Sequence, residues 1–393
     1  MRRLEITRRE WAATAAALLA ACASSAPEPE AAQTVSAADL LARSIVFDAH
    51  CDTPGRMLRE GWDLGERTPY NQVDIPRMRE GGISASFFAV FTSPKGKTEP
   101  EATKFGFDML DETVREVRKY PDDLTLAVSS DDIVKAKQAG KIAILLSLEG
   151  GHMIDGSLDN LRKYYELGIR SLGLTHGLST AWAQSAESSD GPGGLTDFGR
   201  EVVAECNRLG VILDLSHAAD QTFFDTIEAS KAPIIHSHSA CRALCKNPRN
   251  LSDEMLKALA ANGGVLAIGY YNGMIVDGYN DPPRTCPTWT PSAMRSARRL
   301  ADDRERRLTE LAKIDEEEVE RVGRVPFEKL LDHFEHAAQV AGPAHMASGP
   351  TWTQQDTCIP STRATSPTPR SSSPVCVDAA SPTRRSSASW AAT

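Results

Sequence analysis

Ile142-Ala143-Ile144-Leu145-Leu146-Ser147-Leu148-Glu149-Gly150-Gly151-His152 is an apolar run that stops at a carboxylate, two glycines and an imidazole. A short apolar run with no amphipathic period reads as a strand covered on both faces. Six more runs have this character, at residues 44–48, 83–90, 171–175, 210–215, 233–236 and 265–268. Between them lie helix-like stretches at 101–120, 157–167, 195–208, 219–230 and 252–261. Thr196-Asp197 and Ser252-Asp253-Glu254 are helix-start signals, each a side-chain oxygen followed by acid in the first turn. Strands alternating with helices imply a parallel sheet, and seven such strands imply an α/β, TIM-like (β/α)8 barrel. The eighth strand is expected near Ala347, after a last barrel helix at 327–341. Residues 302–324 are densely charged and read as a solvated helix.

In a parallel barrel, chemistry gathers where the C-terminal strand ends meet. Five of these strands end in potential ligands: Asp48-Ala49-His50-Cys51-Asp52, Glu149-Gly150-Gly151-His152, Thr175-His176, Asp214-Leu215-Ser216-His217 and His236-Ser237-His238. Strand period puts His50 and Asp52 on one side. A lone His-x-Asp is more often a surface pair, and a lone Glu before Gly-Gly a turn residue. Five such groups at five strand ends are poorly explained by solvation, because strand ends otherwise favour Gly, Asn, Asp and Ser. Imidazole and carboxylate are ligands that zinc accepts, and a shared carboxylate bridges two ions. Such a site activates a water and polarises a carbonyl together.

Bulk composition narrows the class. The chain has 393 residues, 41% apolar and 25% charged, as in ordinary globular proteins. A net charge of −9 without a basic stripe excludes a general nucleic-acid binder. Eight cysteines without a CxxC pair argue against a disulfide framework or a cysteine-type zinc module. Residues 1–22 have a basic start and an apolar run too short to span a bilayer, which reads as an export signal. Thr7-Arg8-Arg9-Glu10-Trp11 resembles a twin-arginine signal, and Leu19-Ala20-Ala21-Cys22 resembles a lipobox whose Cys22 is lipidated. Residues 23–37 read as a flexible tether and residues 38–346 as the barrel. The expected location is the periplasm or cell envelope, with membrane contact through a lipid anchor alone.

The same blocks carry a family likeness. Asp48-Ala49-His50-Cys51-Asp52-Thr53-Pro54 resembles the opening motif of the membrane dipeptidases, the renal-dipeptidase-like metallopeptidases. Glu149-Gly150-Gly151-His152 with the stretch up to His176 resembles their next block, as do residues 195–217 and 233–250. The likeness covers roughly residues 44–340. It implies dipeptide hydrolysis by a hydroxide bridging two zinc ions. On the matching positions, His50 and Asp52 would hold one ion, His217 and His238 the other, and Glu149 would bridge them. His176 would stabilise the oxyanion, and Arg249 would grip the substrate's free carboxylate through its planar fork. The family pattern assigns no role to His152 or His236, which read as satisfied polar groups. The likeness also leaves a homodimer open.

One departure stands out. After the last strand the family places Gly-Ile-Gly-(Ser/Pro)-Asp-Phe-Asp-Gly, whereas this chain reads Met346-Ala347-Ser348-Gly349-Pro350-Thr351-Trp352-Thr353, with neither Asp. Beyond Pro350 roughly half the residues are Ser, Thr or Pro, and Leu, Phe, Lys, Glu and Gly are absent. Slipping the reading frame by one base lets 346–353 read Gly-Ile-Gly-Pro-Asp-Leu-Asp. Residues 347–393 are therefore expected to be an out-of-frame, disordered tail, with the eighth strand and its following helix lost. Two readings compete with an active dipeptidase: a zinc-binding remnant without activity, and an amidohydrolase-type enzyme acting on another amide. The latter usually shows HxH on its first strand and a bridging lysine, in place of His50-x-Asp52 and Glu149. Resequencing the gene checks the frame: restored Asp codons support the slip, and identical codons on independent reads exclude a sequencing error.

Overall fold

The computed structural model describes residues 36–68, 72–279 and 325–349. The chain divides into an N-terminal unit, Met1–Arg43, and a unit from Ser44 onward. The first contains, among its described residues, a short helix at Ala37–Arg43. The expected export signal, Cys22, most of the tether, the charged stretch 302–324 and the tail from Pro350 lie outside the described residues. Among the described residues, no helix is long and apolar enough to cross a membrane.

The second unit is a closed parallel barrel with helices around it. Its strands are β1 Phe47–Cys51, β2 Ala85–Phe91, β3 Leu124–Leu126, β4 Ile142–Glu149, β5 Ile169–Gly173, β6 Ile212–Asp214, β7 Ile235–Ser239, β8 Val265–Gly269 and β9 Met346–Gly349. The hydrogen-bonded order is β2-β1-β9-β8-β7-β6-β5-β4-β3, and pairing of β2 with β4 closes the ring. The three-residue β3 adds to β4 alone, at Ile142 to Ile144, and carried no periodic signal in the sequence. The seven expected strands are all present, displaced by up to three residues at their ends.

The helices form for local reasons. Thr98 and Glu101 make a reciprocal capping box at the start of Glu99–Lys119. Thr196 and Ser252 accept hydrogen bonds from Gly199 N and Met255 N, as their positions suggested. Gly210 and Gly263, both left-handed, end the helices Asp197–Leu209 and Asp253–Asn262.

Alternation along the strands sorts two environments. Ile144, Leu146 and Leu148 of β4 join Met109, Leu161, Val202, Phe223 and Leu256 in the apolar layer between strands and helices. Ala143 and Leu145 share a smaller cluster with Ala85 and Phe87, filling the barrel. Glu149 continues this second set at the C-terminal rim.

The expected loss of the eighth strand is corrected here. Met346–Gly349 forms a parallel strand paired with β8 from Leu266 to Gly269, and Ser348 pairs with Asp48 of β1. The barrel therefore runs three residues past the expected boundary at 346, and Ala347–Gly349 are not a disordered tail. The physical reason is that closure draws on backbone N–H and C=O groups, which any non-proline residue supplies, and on small side chains. The size limit is tight at Gly349, where a Cβ would fall 1.8 Å from Ser237 O. Gly349→Ala is expected to lower unfolding stability by about 1–3 kcal/mol, measured by thermal melting. Wild-type melting would show that β9 does not run against β7.

Candidate metal centre

Simple alternation would aim two of the expected ligands away from the barrel. On β7, His236 faces Phe223 of the helix layer while Ser237 reaches Asp214, so His238 should point outward again. The register shifts between His236 and Ser239, and between Asp48 and Cys51 on β1. These irregularities re-aim His238 and His50 toward Glu149. Asp52 has already left the strand and sits at the N-cap position of the helix Thr53–Glu60 without a side-chain cap bond, so a turn, not strand period, sets it beside His50.

Glu149 Oε1 is the meeting point. It lies 3.0 Å from His217 Nε2, 3.5 Å from His238 Nε2, 3.6 Å from His50 Nε2 and 3.8 Å from His176 Nε2. His50 Nε2 is 3.4 Å from Asp52 Oδ1. Arg249 Nη2 approaches His217 Nε2 at 3.0 Å, and its Nε donates to Ser216 O at 3.3 Å. His176 stacks between Phe91 and His217, both ring centroids 4.1 Å away. The structure thus brings together all seven residues named from the sequence: His50, Asp52, Glu149, His176, His217, His238 and Arg249.

Three trios place one ligand atom each within 4.8 Å of the others: Glu149 with His217 and His238, His50 with Asp52 and Glu149, and His50 with Asp214 and His238. The first two share Glu149. His50 Nε2 and Asp52 Oδ2 are buried without hydrogen-bond partners. Buried polar atoms of this kind are costly unless something binds them. Imidazole nitrogens and carboxylate oxygens suit a borderline divalent ion, so the residues fit a metal centre.

Burial and mutual charge set the protonation states. Burial disfavours charge on His50, but Glu149 and Asp52 outweigh it and push its pKa up to about 9. Burial, reinforced by Asp52 and Asp214, raises Glu149. His176, His217 and His238 are held well below the usual imidazole range, first by burial and then by nearby cations, Arg249 among them. They are therefore neutral, the form in which imidazole donates a lone pair.

Three supporting residues were not singled out from sequence. Asp214 Oδ1 accepts from Ser216 N, Ser216 Oγ and Ser237 N at 3.1, 2.7 and 3.1 Å. Its Oδ2 accepts from Ser237 Oγ, which lies 2.7 Å from His238 Nδ1. Because that hydroxyl donates to Asp214, it accepts the Nδ1 proton and leaves the His238 Nε2 lone pair facing Glu149. Glu187 Oε2, 3.2 Å from His217 Nδ1, sets the same tautomer there. The strand-end segment Asp214-Leu215-Ser216-His217 carried a signal for Asp214. Glu187 comes from a loop with no motif around it. His152 is a satisfied polar group, with Nε2 2.8 Å from Thr92 O. His236 is only partly so: Nδ1 meets Ser239 Oγ at 3.2 Å, while Nε2 is buried and unpartnered. Gly150, at φ +113°, makes the sharp exit after Glu149 that a side chain would resist.

Comparison with known proteins agrees with this geometry. The model of the membrane dipeptidase family, peptidase family M19, matches residues 35–361. Dipeptidase 3 of Rattus norvegicus is 39% identical over 241 residues, covering 58% of this chain and 48% of that protein. The chain thus spans about half the length of such curated relatives. Among solved structures, the metallopeptidase dipeptidase AC superposes with a TM-score of 0.64 at 25% identity, covering 80% of this chain and 86% of that one. A metallopeptidase from Rhodobacter sphaeroides, liganded with a phosphinate mimic of the dipeptide L-Ala-D-Ala, gives 0.63 at 24%, covering 80% and 87%. A match over most of the chain, on a closed barrel whose rim gathers these donors, means that it belongs to the membrane dipeptidase family.

Proposed function

We propose that this chain is a metal-dependent dipeptidase that holds two zinc ions, one between His50 and Asp52, the other between His217 and His238, with Glu149 shared. The observation that carries the reading is the crowding of four imidazole nitrogens within 3.8 Å of one buried carboxylate oxygen. Such a cluster is unfavourable as a structural device, because its desolvation cost is repaid only by excellent pairing. When bound, the ions would supply an activated water and polarise the scissile carbonyl.

The chain's own residues do the rest. Arg249 lines the same pocket and offers a planar fork to a substrate carboxylate, which limits substrate length by demanding that group close to the scissile bond. His176 is about a quarter exposed, stacked and neutral, placed to hydrogen-bond a carbonyl oxygen as negative charge develops on it. Glu187 and the Asp214–Ser237 pair keep His217 and His238 in the tautomer that presents Nε2. Export and a lipid anchor at Cys22 would place the activity at the cell envelope.

A second reading draws on the stretch Pro350 to Thr353, which has no carboxylate where the family motif has one. It makes the chain a metal-binding protein without hydrolysis. Metal analysis joined to an Ala-Ala-type dipeptide panel separates the two: bound zinc with turnover supports the first, bound zinc without turnover the second. Absence of metal removes both.

Three outcomes are expected. Chelation should strip the metal, abolish hydrolysis and lower the melting temperature, with zinc restoring all three, while Glu149→Gln should bind less metal and lose at least roughly a hundredfold in kcat. Unchanged metal content in Glu149→Gln would contradict the bridging role. Arg249→Ala should raise KM for dipeptides roughly 10- to 100-fold with a smaller change in kcat; an unaltered KM would remove Arg249 from substrate binding.

A further inference from the structure

The guanidinium of Arg242 is engaged at every nitrogen around the loop that carries Arg249. Nη1 and Nη2 donate to Asp220 Oδ2 and Oδ1 at 2.5 and 2.7 Å. Nε donates to Asn250 O at 2.7 Å, and Nη2 also donates to Pro248 O at 3.0 Å. Those two carbonyls belong to the residues on either side of Arg249. The Arg242 backbone N–H donates to Leu251 O at 2.8 Å, one residue further on.

The anchor at the other end matters equally. Asp220 is the first residue of the helix Asp220–Ala229 and follows His217 by three positions. The Asp220–Arg242 pair therefore ties the Arg249 loop to the segment that presents His217, and Arg249 Nη2 comes to 3.0 Å from His217 Nε2. Two asparagines shape the loop and moor it to the segment after β8: Asn247 Oδ1 accepts from Arg249 N at 2.9 Å, and Asn250 Nδ2 donates to Cys245 O and Met274 O at 2.9 and 2.8 Å. Neither asparagine reaches the His217 segment; the Arg249 side chain does so through Ser216 O, and Arg242 holds the backbone on either side of Arg249 to Asp220.

An exposed ion pair adds little to stability. Asp220 is half exposed and Arg242 about a quarter, so stability alone accounts poorly for an arginine engaged at all three of its nitrogens. Lysine could not replace it, because one ammonium cannot span a carboxylate and two separate carbonyls.

We infer that Arg242 is a positioning residue for Arg249, held by Asp220, and that it sets how strongly the site demands a free carboxylate on its ligand. The inference rests on the reading of Arg249 as the carboxylate-binding group. A shift of about an ångström in such a fork is enough to cost one to two orders of magnitude in recognition.

The test is calorimetric binding to the zinc-loaded full chain. The probes are a phosphinate isostere of Ala-Ala and the same compound with its carboxylate converted to a carboxamide. The parent should prefer the acid, and Arg249→Ala should abolish the preference. Arg242→Lys should reduce it roughly tenfold, leaving carboxamide affinity and zinc content unchanged. Asp220→Asn should move it the same way and serves if Arg242→Lys folds poorly. Parental preference in both Arg242→Lys and Asp220→Asn, with Arg249→Ala still losing it, overturns the inference alone. Equal weakening of both probes together with a lower melting temperature assigns Arg242 a purely structural role. A parent without preference, or an Arg249→Ala that retains it, overturns the reading of Arg249 and this inference with it.

Discussion

One carboxylate organises the rim of this barrel. Glu149 ends a strand buried over its whole length, and four imidazoles converge on its Oε1 between 3.0 and 3.8 Å. Removing that many ionisable groups from water is tolerable only if each is held where a partner or an ion can satisfy it. The eight-strand ring supplies that rigidity. Its closure by β9, four residues of which three have small side chains, bonds β9 to both β8 and β1 and leaves β1 placed to carry His50.

A second layer decides what the ligands can do. An imidazole offers one lone pair, and which nitrogen carries it depends on the bond made by the other. Ser237, itself held by Asp214, settles this for His238, and Glu187 settles it for His217. Burial and the Arg249 charge keep His176, His217 and His238 neutral, whereas the carboxylates around His50 hold a proton on it. Protons and divalent ions compete for such a cluster, so metal binding there releases protons. The loop bearing Arg249 is built with comparable care, by Asn247, Asn250 and Arg242 within it and by Asp220, which Arg242 reaches outside it.

Membership in the membrane dipeptidase family and the observed geometry bear on each other. The family match covers residues 35–361 and so includes β9, which local composition alone had suggested was lost. The backbone there pairs as a strand although its side chains depart from the family motif. Strand pairing is a property of the main chain, whereas the chemistry that the motif would add belongs to its side chains.

The amino-acid sequence by itself determined the alternation of strands and helices, the barrel they form, and the clustering of His50, Asp52, Glu149, His176, His217 and His238 at strand ends. Those features are local: apolar runs, capping residues and strand termini are visible without knowing any neighbour. Three things needed the tertiary structure. The shifts in β1 and β7 that turn His50 and His238 inward arise from pairing with adjacent strands. Glu187, Asp214 and Arg242 acquire roles only through partners 30, 23 or 22 residues away. The survival of β9 depends on two waiting strand edges, which no local pattern in Met346–Gly349 reveals. In each case the deciding energy lies in contacts between segments distant in the chain, and a one-dimensional reading has no access to them.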